Sequence, residues 1–379
     1  MSAMKEEYNN SDDETSTKTF VSKMNQVFVE EFVEVCRQHG VMFPQVRDLA
    51  SPYAKCLVEF SKITFASYFE NIRKHLLNVL PDESGDEEKN KTFFVSLSES
   101  LEMLRSSIQP AHLMVPQARL NDRVAEITER AVRHQVDMSF EKLRQRIRVE
   151  LEKELRRRPE QQNTKNDGLQ DEKEATSSSS DKPTELTKRM MSSILRNVES
   201  SLRRLQPLVR TGSSILARAE LGRVFADLVQ GQMRHFFLWF NEIVQEISSS
   251  QDEKDVSHAL SLACLCHEMV RSGITSALSV LIECLPPLSD SEDVESSYGS
   301  VVDIPDVIKR TKATSRRLLD IFVSQQSDRF CKLVRTSLEA PNWRDMKEPR
   351  EVREVMGHMM RELDVMSRTI SVRFNLCFS

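Results

Sequence analysis

The chain has 379 residues, of which 39% are hydrophobic and 29% charged, and only 9 are glycine. Phosphate-cradling loops, nucleophile elbows and dinucleotide turns need glycines at fixed offsets, and β-rich folds need Gly and Pro turns at short intervals. This composition therefore excludes most nucleotide-binding and acyl-transfer enzymes and points to a long helical protein. The net charge of −5 is unevenly spread: Met1–Thr17 carries −4, Pro81–Lys91 −3, Pro159–Thr184 −3 and Leu285–Asp303 −5, which leaves a helical body of about +10.

In chain order, residues 1–17 form a polar, acidic tail with neither a signal-peptide apolar core nor an Arg-rich transit pattern, and disorder is expected there. Phe20, Met24, Val27, Phe28, Phe32 and Val35 then recur at helical spacing, with Gly40 as the expected stop. A second helix carries Leu57, Phe60, Ile63, Phe69, Ile72 and Leu76 and ends by Pro81. A third runs from Thr92 to about Ser107, with Phe94, Leu97, Leu101 and Leu104 inward, and stops at Pro110. After Pro116 a long helix is expected from about Ala118 to Arg158, on the stripe Ile127, Val132, Val136, Phe140, Leu143, Ile147, Leu151 and Leu155.

Residues 159–184 hold Ser177–Ser180 and almost no apolar side chain, so burial cannot offset their ordering entropy; they read as a disordered linker between helical bundles at 18–158 and 185–379. Beyond it, Met190, Ile194, Val198, Leu202 and Leu205 form a stripe ending near Pro207. Leu221, Val224, Phe225 and Leu228 open another helix that runs into the aromatic cluster Phe236–Phe240, read as core. Val256–Cys284 is helical and apolar, and an acidic loop at about 285–303 follows. Val307–Leu338 is helical, with Leu318, Ile321, Phe322, Phe330 and Leu333 as its core face. A last helix starts near Pro349, with Val352, Val355, Met356, Met359, Leu363, Met366 and Ile370 at heptad-like spacing. The fold class is all-α, with no credible strand.

Few residues offer chemistry. Cys264, Cys266 and His267 are the densest ligand-type cluster, but on a helix positions 264 and 266 point about 200° apart, so they cannot share one metal. His267-Glu268 begins like a zincin helix, yet the second histidine position holds Arg271. The other histidines are scattered, and no serine or cysteine sits in a Gly-framed nucleophile motif. The basic stretch Lys142–Arg158 is interleaved with Glu150, Glu152 and Glu154 and lacks the exposed aromatics of nucleic-acid grooves. No catalytic residue, cofactor site or metal site is expected. Seven cysteines, mostly within apolar helical patterns, fit reduced thiols of the cytosol.

The most specific local pattern is Ser337-Leu-Glu-Ala-Pro-Asn-Trp343-Arg-Asp-Met-Lys-Glu348-Pro349-Arg350-Glu-Val352-Arg353-Glu-Val355-Met356. It resembles a segment of the Fat-free family, to which the vacuolar protein sorting-associated subunit fifty-one of the GARP and EARP tethering complexes belongs. Met191–Leu195, Arg317–Leu319 and Ile127–Val132 resemble further family segments, and the likeness spans about Phe20–Arg373. The resemblance implies elongated helical-rod bundles of the tethering-complex class and a non-catalytic role in endosome-to-trans-Golgi retrograde transport and endosomal recycling. It implies sister tether subunits as partners, in a cytoplasmic, peripheral location at the trans-Golgi network and endosomes, with no nucleic acid. The family's N-terminal t-SNARE-binding segment and the heptads after it have no counterpart before Phe20, so the expectation is a short or incomplete form. Trp343, Glu348, Pro349, Arg350, Val352, Arg353, Val355 and Met356 are family-signature residues, read as packing residues. The alternative is a cytosolic helical scaffold outside membrane traffic, and an all-helical enzyme built from scattered side chains is the third reading.

Overall fold

The computed structural model describes residues 17–42, 51–79, 87–156, 182–210, 215–249, 256–285 and 302–339, with single positions between 356 and 367. The acidic tail before Thr17, the linker up to 181, the loop at 286–301 and the signature segment from Trp343 to Val355 lie outside these residues. The described residues are helical throughout, with no strand among them: the fold is all-α. The helices are α1 (Thr17–Met24), α2 (Glu31–Met42), α3 (Pro52–Asn78), α4 (Glu87–Met114), α5 (Leu120–Arg156), α6 (Lys182–Leu205), α7 (Pro207–Arg210), α8 (Ile215–Ser249), α9 (Val256–Glu268), α10 (Ile274–Cys284) and α11 (Ile304–Glu339). Two compact units result, one from residues 1–139, 201–229 and 284–294, the other from 140–200, 230–283 and 295–379.

In the first unit, α1 and α2 form one rod joined by a π-turn, Asn25–Glu30. Its buried stripe is Thr17, Val21, Asn25, Val29, Phe32 and Cys36. This differs from the expected face, and Val27 and Val35 point outward. The reason is the π-turn: its wider i→i+5 bonding admits an extra residue, which a uniform 3.6-residue period does not anticipate. Gly40 does not stop the rod, which continues to Met42.

Ser51 starts α3, its Oγ accepting from the Ala54 N–H at 3.2 Å while Pro52 occupies the first turn, where no N–H is needed. Helix α3 buries Leu57, Phe65, Tyr68, Phe69, Ile72 and Leu76. Phe65 packs edge-on against Phe32 at 4.9 Å and against Tyr68 at 5.6 Å. At the centre, the Tyr68 hydroxyl donates to Asn25 Oδ1 at 2.5 Å, and Asn25 Nδ2 donates to Ser107 Oγ at 2.9 Å. One buried amide thus ties the π-turn, α3 and α4 together.

Helix α4 does not stop at Pro110 but runs through it to Met114. Proline has no N–H to give to the Ser106 carbonyl, a cost of about 3 kcal/mol. The expected stripe Phe94, Leu97, Leu101 and Leu104 is buried, and it continues through Ile108 and Ala111 on both sides of the proline. That burial outweighs the lost bond. Pro116 does break the chain, opening the 3₁₀ turn Pro116–Ala118; Arg119 follows in the left-handed region at φ 52°. The expected stripe of α5 is buried along its whole length.

In the second unit, Phe140, Leu143, Ile147, Leu151 and Leu155 of α5 are buried, as are Met190, Ile194 and Val198 of α6. Ser193 Oγ and Asn197 Nδ2 both donate to Glu150 of α5, the latter at 2.9 Å. Helices α9 and α10 are joined by a second π-turn, Met269–Gly273, where a Cβ on Gly273 would lie 2.7 Å from Met269 Sδ and 3.0 Å from Met191 Sδ. Helix α11 packs on α9, with Phe322 buried beside Ala259 and Leu260. Its buried face also contains two threonines: Asn241 Nδ2 donates to Thr311 Oγ1 at 3.2 Å and Gln245 Nε2 to Thr314 Oγ1 at 3.1 Å. Beyond Phe322 no residue of α11 whose side chain is described is buried, so the expected core face fails at Phe330, which is only half-buried.

His75 carries a pH dependence for the first unit. Its ring stacks on Phe20 at 3.9 Å, Nε2 is buried without a partner, and burial holds its pKa below the ordinary 6.5. Below pH 6.5 the unfolded chain takes up this proton before the folded one does. Stability from His75 is therefore present above 6.5, falls as pH drops toward the folded-state pKa, and levels off below it. Urea midpoints for peptides of residues 17–79, followed by hydrogen exchange at pH 7 and pH 5.5, are expected to fall at the lower pH. A His75→Phe variant, which keeps the stack, is expected to lose that part of the fall.

Candidate functional site

The cysteine and histidine cluster is a packing feature. Cys266 is fully buried, its thiol pushed up to about 12 by desolvation, which keeps it protonated and unreactive. Cys264 packs half-buried against the Ala259–Leu260–Phe322 cluster, and burial holds His267 below its ordinary value. Among the described residues no group of three His, Cys, Asp or Glu side chains is placed to hold a metal ion.

The basic stretch of α5 is engaged within its own unit. Arg144 pairs with Glu141 at 2.7 Å, and Arg148 reaches both Glu152 at 3.2 Å and Glu246 of α8 at 2.8 Å. Two of these pairs lie along α5 itself, and the Arg148–Glu246 pair ties α5 to α8. The aromatic run of α8 is interior, with Phe236, Phe237 and Phe240 buried and Trp239 half-buried. Of the signature residues only Met356 is described, and it is 51% exposed.

Two surface features of the first unit remain. One is a second apolar stripe on α3. Tyr53, Cys56, Phe60 and Ile63 follow at spacings of three, four and three residues, all exposed, Phe60 at 45% and Ile63 at 71%. Periodicity places Phe60 and Ile63 in the core, but the core side of α3 is taken by Leu57, Ser61, Phe65 and Tyr68. At 100° per residue the two stripes together give this part of α3 an apolar arc of roughly 200°, twice what a surface helix needs. The rod beside it adds Val35, 45% exposed, next to Phe32, whose ring lies 6.0 Å from that of Phe60.

The other feature is a cleft of about 790 Å³ between α3, the 3₁₀ turn and the start of α5. Phe65, Ala66, Phe69, Leu120 and Ile127 line it, and Lys62, Arg73, Arg119, Arg123 and Arg130 stand around it with Glu70, Asp122 and Glu126. Glu70 is held by Arg73 at 2.8 Å, and Glu126 by Arg123 and Arg130 at 2.9 and 2.7 Å. Arg119 has no carboxylate partner among the described residues. Neither feature was visible in the sequence, although the 53–56–60–63 spacing was a readable signal of a second face.

No family model matches the chain. It is 26% identical over 145 residues to the vacuolar protein sorting-associated protein 51 homolog of Dictyostelium discoideum, covering 36% of this chain and 16% of that protein. It is 26% identical over 139 residues to the protein of the same name from Gallus gallus, covering 35% and 17%. The similarity therefore spans about a sixth of the length of these curated relatives. A solved chain from the computational design of self-assembling cyclic homooligomers aligns over 79% of this chain and 98% of its own, at 12% identity and a TM-score of 0.17, too low to indicate a shared fold. No described helix is long and apolar enough to cross a membrane.

Proposed function

We propose that this chain is a non-catalytic subunit of a multisubunit vesicle-tethering complex, acting through protein–protein contacts in endosome-to-trans-Golgi retrograde transport and endosomal recycling. The similarity to two proteins named as vacuolar protein sorting-associated homologs carries this reading. The all-α fold supports it, since helical surfaces join subunits by packing side chains at three- and four-residue spacing. Its partners are the sister subunits of GARP- and EARP-type tethers, which bring it to the membrane surface of the trans-Golgi network and endosomes. The second face of α3 is the surface assigned to a sister helix, because Tyr53, Cys56, Phe60 and Ile63 repeat the a/d spacing of a helix–helix seam. The signature residues around Trp343 and Pro349 serve packing in this reading.

The test is affinity purification of the 379-residue chain from cells, with mass spectrometry of what co-elutes. Sister tether subunits are expected in the eluate, and a Phe60→Glu/Ile63→Glu variant is expected to keep its helical circular dichroism and recover them at least fivefold less. A folded chain that brings down none of them sinks the tethering reading and leaves the generic scaffold.

A further inference from the structure

The outward face of α3 is one wall of a groove whose other wall is α2. We infer that this groove takes the last helix of a second copy of this chain, around Met356, Met360 and Leu363, in a head-to-tail contact. The inference is independent of the tethering reading, because both surfaces belong to this chain. A sister helix competes for the same groove.

Two rows make the groove. On α2, Glu31, Val35, Gln38 and Met42 stand at spacings of four, three and four residues, all exposed. On α3, Tyr53, Cys56, Phe60 and Ile63 stand at three, four and three, also exposed. Phe28 and Phe32 of the rod meet Tyr68 and Phe60 of α3 at 5.8 and 6.0 Å, so the two run antiparallel. In that register Glu31 comes about level with Ile63, Val35 with Phe60, Gln38 with Cys56 and Met42 with Tyr53. At 1.5 Å per residue the four layers span roughly 15 Å. Among the described residues these two helices hold the densest group of exposed large apolar side chains, which marks a surface for association. Rows of alternating three- and four-residue spacing on adjacent helices accept the ridge of a third helix.

The occupant is read from the other end of the chain. Residues 356–357, 359–361 and 363–364 are helical, and Met356, Met360 and Leu363 are exposed at spacings of four and three. The same spacing in the sequence puts Arg353 before Met356 and Ser367 after Leu363. A cation therefore precedes three apolar side chains, and the groove opposes that order with Glu31 ahead of Val35, Phe60 and Met42. Glu31 has no cationic partner among the described residues. With the last helix parallel to α2, Arg353 falls beside Glu31 and the methionines follow along the groove, where their unbranched side chains adapt to its shape. Both rows are exposed in the single chain, so the occupant comes from another copy. Each copy then offers one groove and one helix, a heterologous contact.

The experiment is sedimentation velocity on the full chain, with fluorescence anisotropy of a fluorescein-labelled peptide of residues 349–373. The chain is expected to sediment with a mass that rises with concentration, and the peptide to bind it saturably. Phe60→Glu/Ile63→Glu spoils the groove and Met360→Glu/Leu363→Glu the helix. Each variant is expected to be monomeric with unchanged circular dichroism, since all four side chains are exposed. Mixed, the two are expected to form a dimer and nothing larger, because one intact groove and one intact helix remain. Glu31→Lys is expected to weaken peptide binding about fivefold, and an Arg353→Glu peptide to restore most of it, which a merely structural role does not do. A chain that stays monomeric at every concentration, a peptide that does not bind, or a mixture without dimer overturns the proposal. So does peptide binding confined to the Met360→Glu/Leu363→Glu chain, which puts the last helix in the groove of its own copy. None of these outcomes involves sister subunits, so the tethering reading fails or stands separately, by co-purification.

Discussion

Tyr68→Ala is expected to unfold the first unit at a urea concentration well below that of the unchanged chain, with a loss of about 3–5 kcal/mol. Tyr68 is fully buried, and its ring meets Phe65 at 5.6 Å, Phe69 at 5.2 Å and Phe28 at 5.8 Å. Removing the ring opens a cavity among side chains that are already close-packed and fixed by their neighbours. Tyr68→Phe separates packing from hydrogen bonding. It keeps the ring but leaves the buried Asn25 Oδ1 without its donor, so it is expected to cost about 1–3 kcal/mol. Trp239 belongs to the second unit, so its fluorescence does not report this loss. Hydrogen exchange on peptides covering 17–114 does, and it is the measurement to make. Equal protection in Tyr68→Ala and the unchanged chain would refute the three-helix junction described above.

The second large effect is expected at Phe322. Truncation to alanine removes a buried ring from the contact of α11 with Ala259 and Leu260 and is expected to cost about 3–5 kcal/mol, read from Trp239 fluorescence in urea. Phe330→Ala is its control. The two phenylalanines stand eight residues apart on one helix and both belong to its expected core face, but Phe330 is half-buried, and its truncation is expected to cost less than half as much. Equal costs would mean that the α9–α11 contact extends farther along α11 than the described burial indicates.

The helical stripes of α5 and α6 were legible in the sequence almost residue by residue. Ile127, Val132, Val136, Phe140, Leu143, Ile147, Leu151 and Leu155 are all buried, as are Met190, Ile194, Val198, Leu202 and Leu205. A long regular helix with one apolar face has only one way to turn that face inward, so 3.6-residue periodicity is sufficient there. The aromatic run Phe236–Phe240 was legible for the same reason, since so apolar a stretch has no stable exposed state.

The π-turn at Asn25–Glu30 is different. No composition marks it, because its stability comes from Asn25 meeting Tyr68 and Ser107, which are distant in sequence. The inserted residue shifts the stripe, so of the face read from Phe20 to Val35 Phe32 is buried while Val27 and Val35 point outward. Pro110 misled in the same way: local propensity costs about 3 kcal/mol, while the buried run Phe94–Ala111 contributes more, and that sum exists only once the neighbouring helices are in place. On α3 the sequence contained two apolar stripes and no means of choosing between them.

What the sequence determined by itself is the helical class and the position of most helices, because periodicity and the scarcity of glycine are local properties of the chain. The tertiary structure alone decided which face of α3 is core and which is left outward, and it brought Lys62 and Arg73 opposite Arg119 and Arg130 around one cleft. Those outcomes depend on which helices pack together. Side chains more than forty residues apart become neighbours through burial and charge, and no local pattern carries that information.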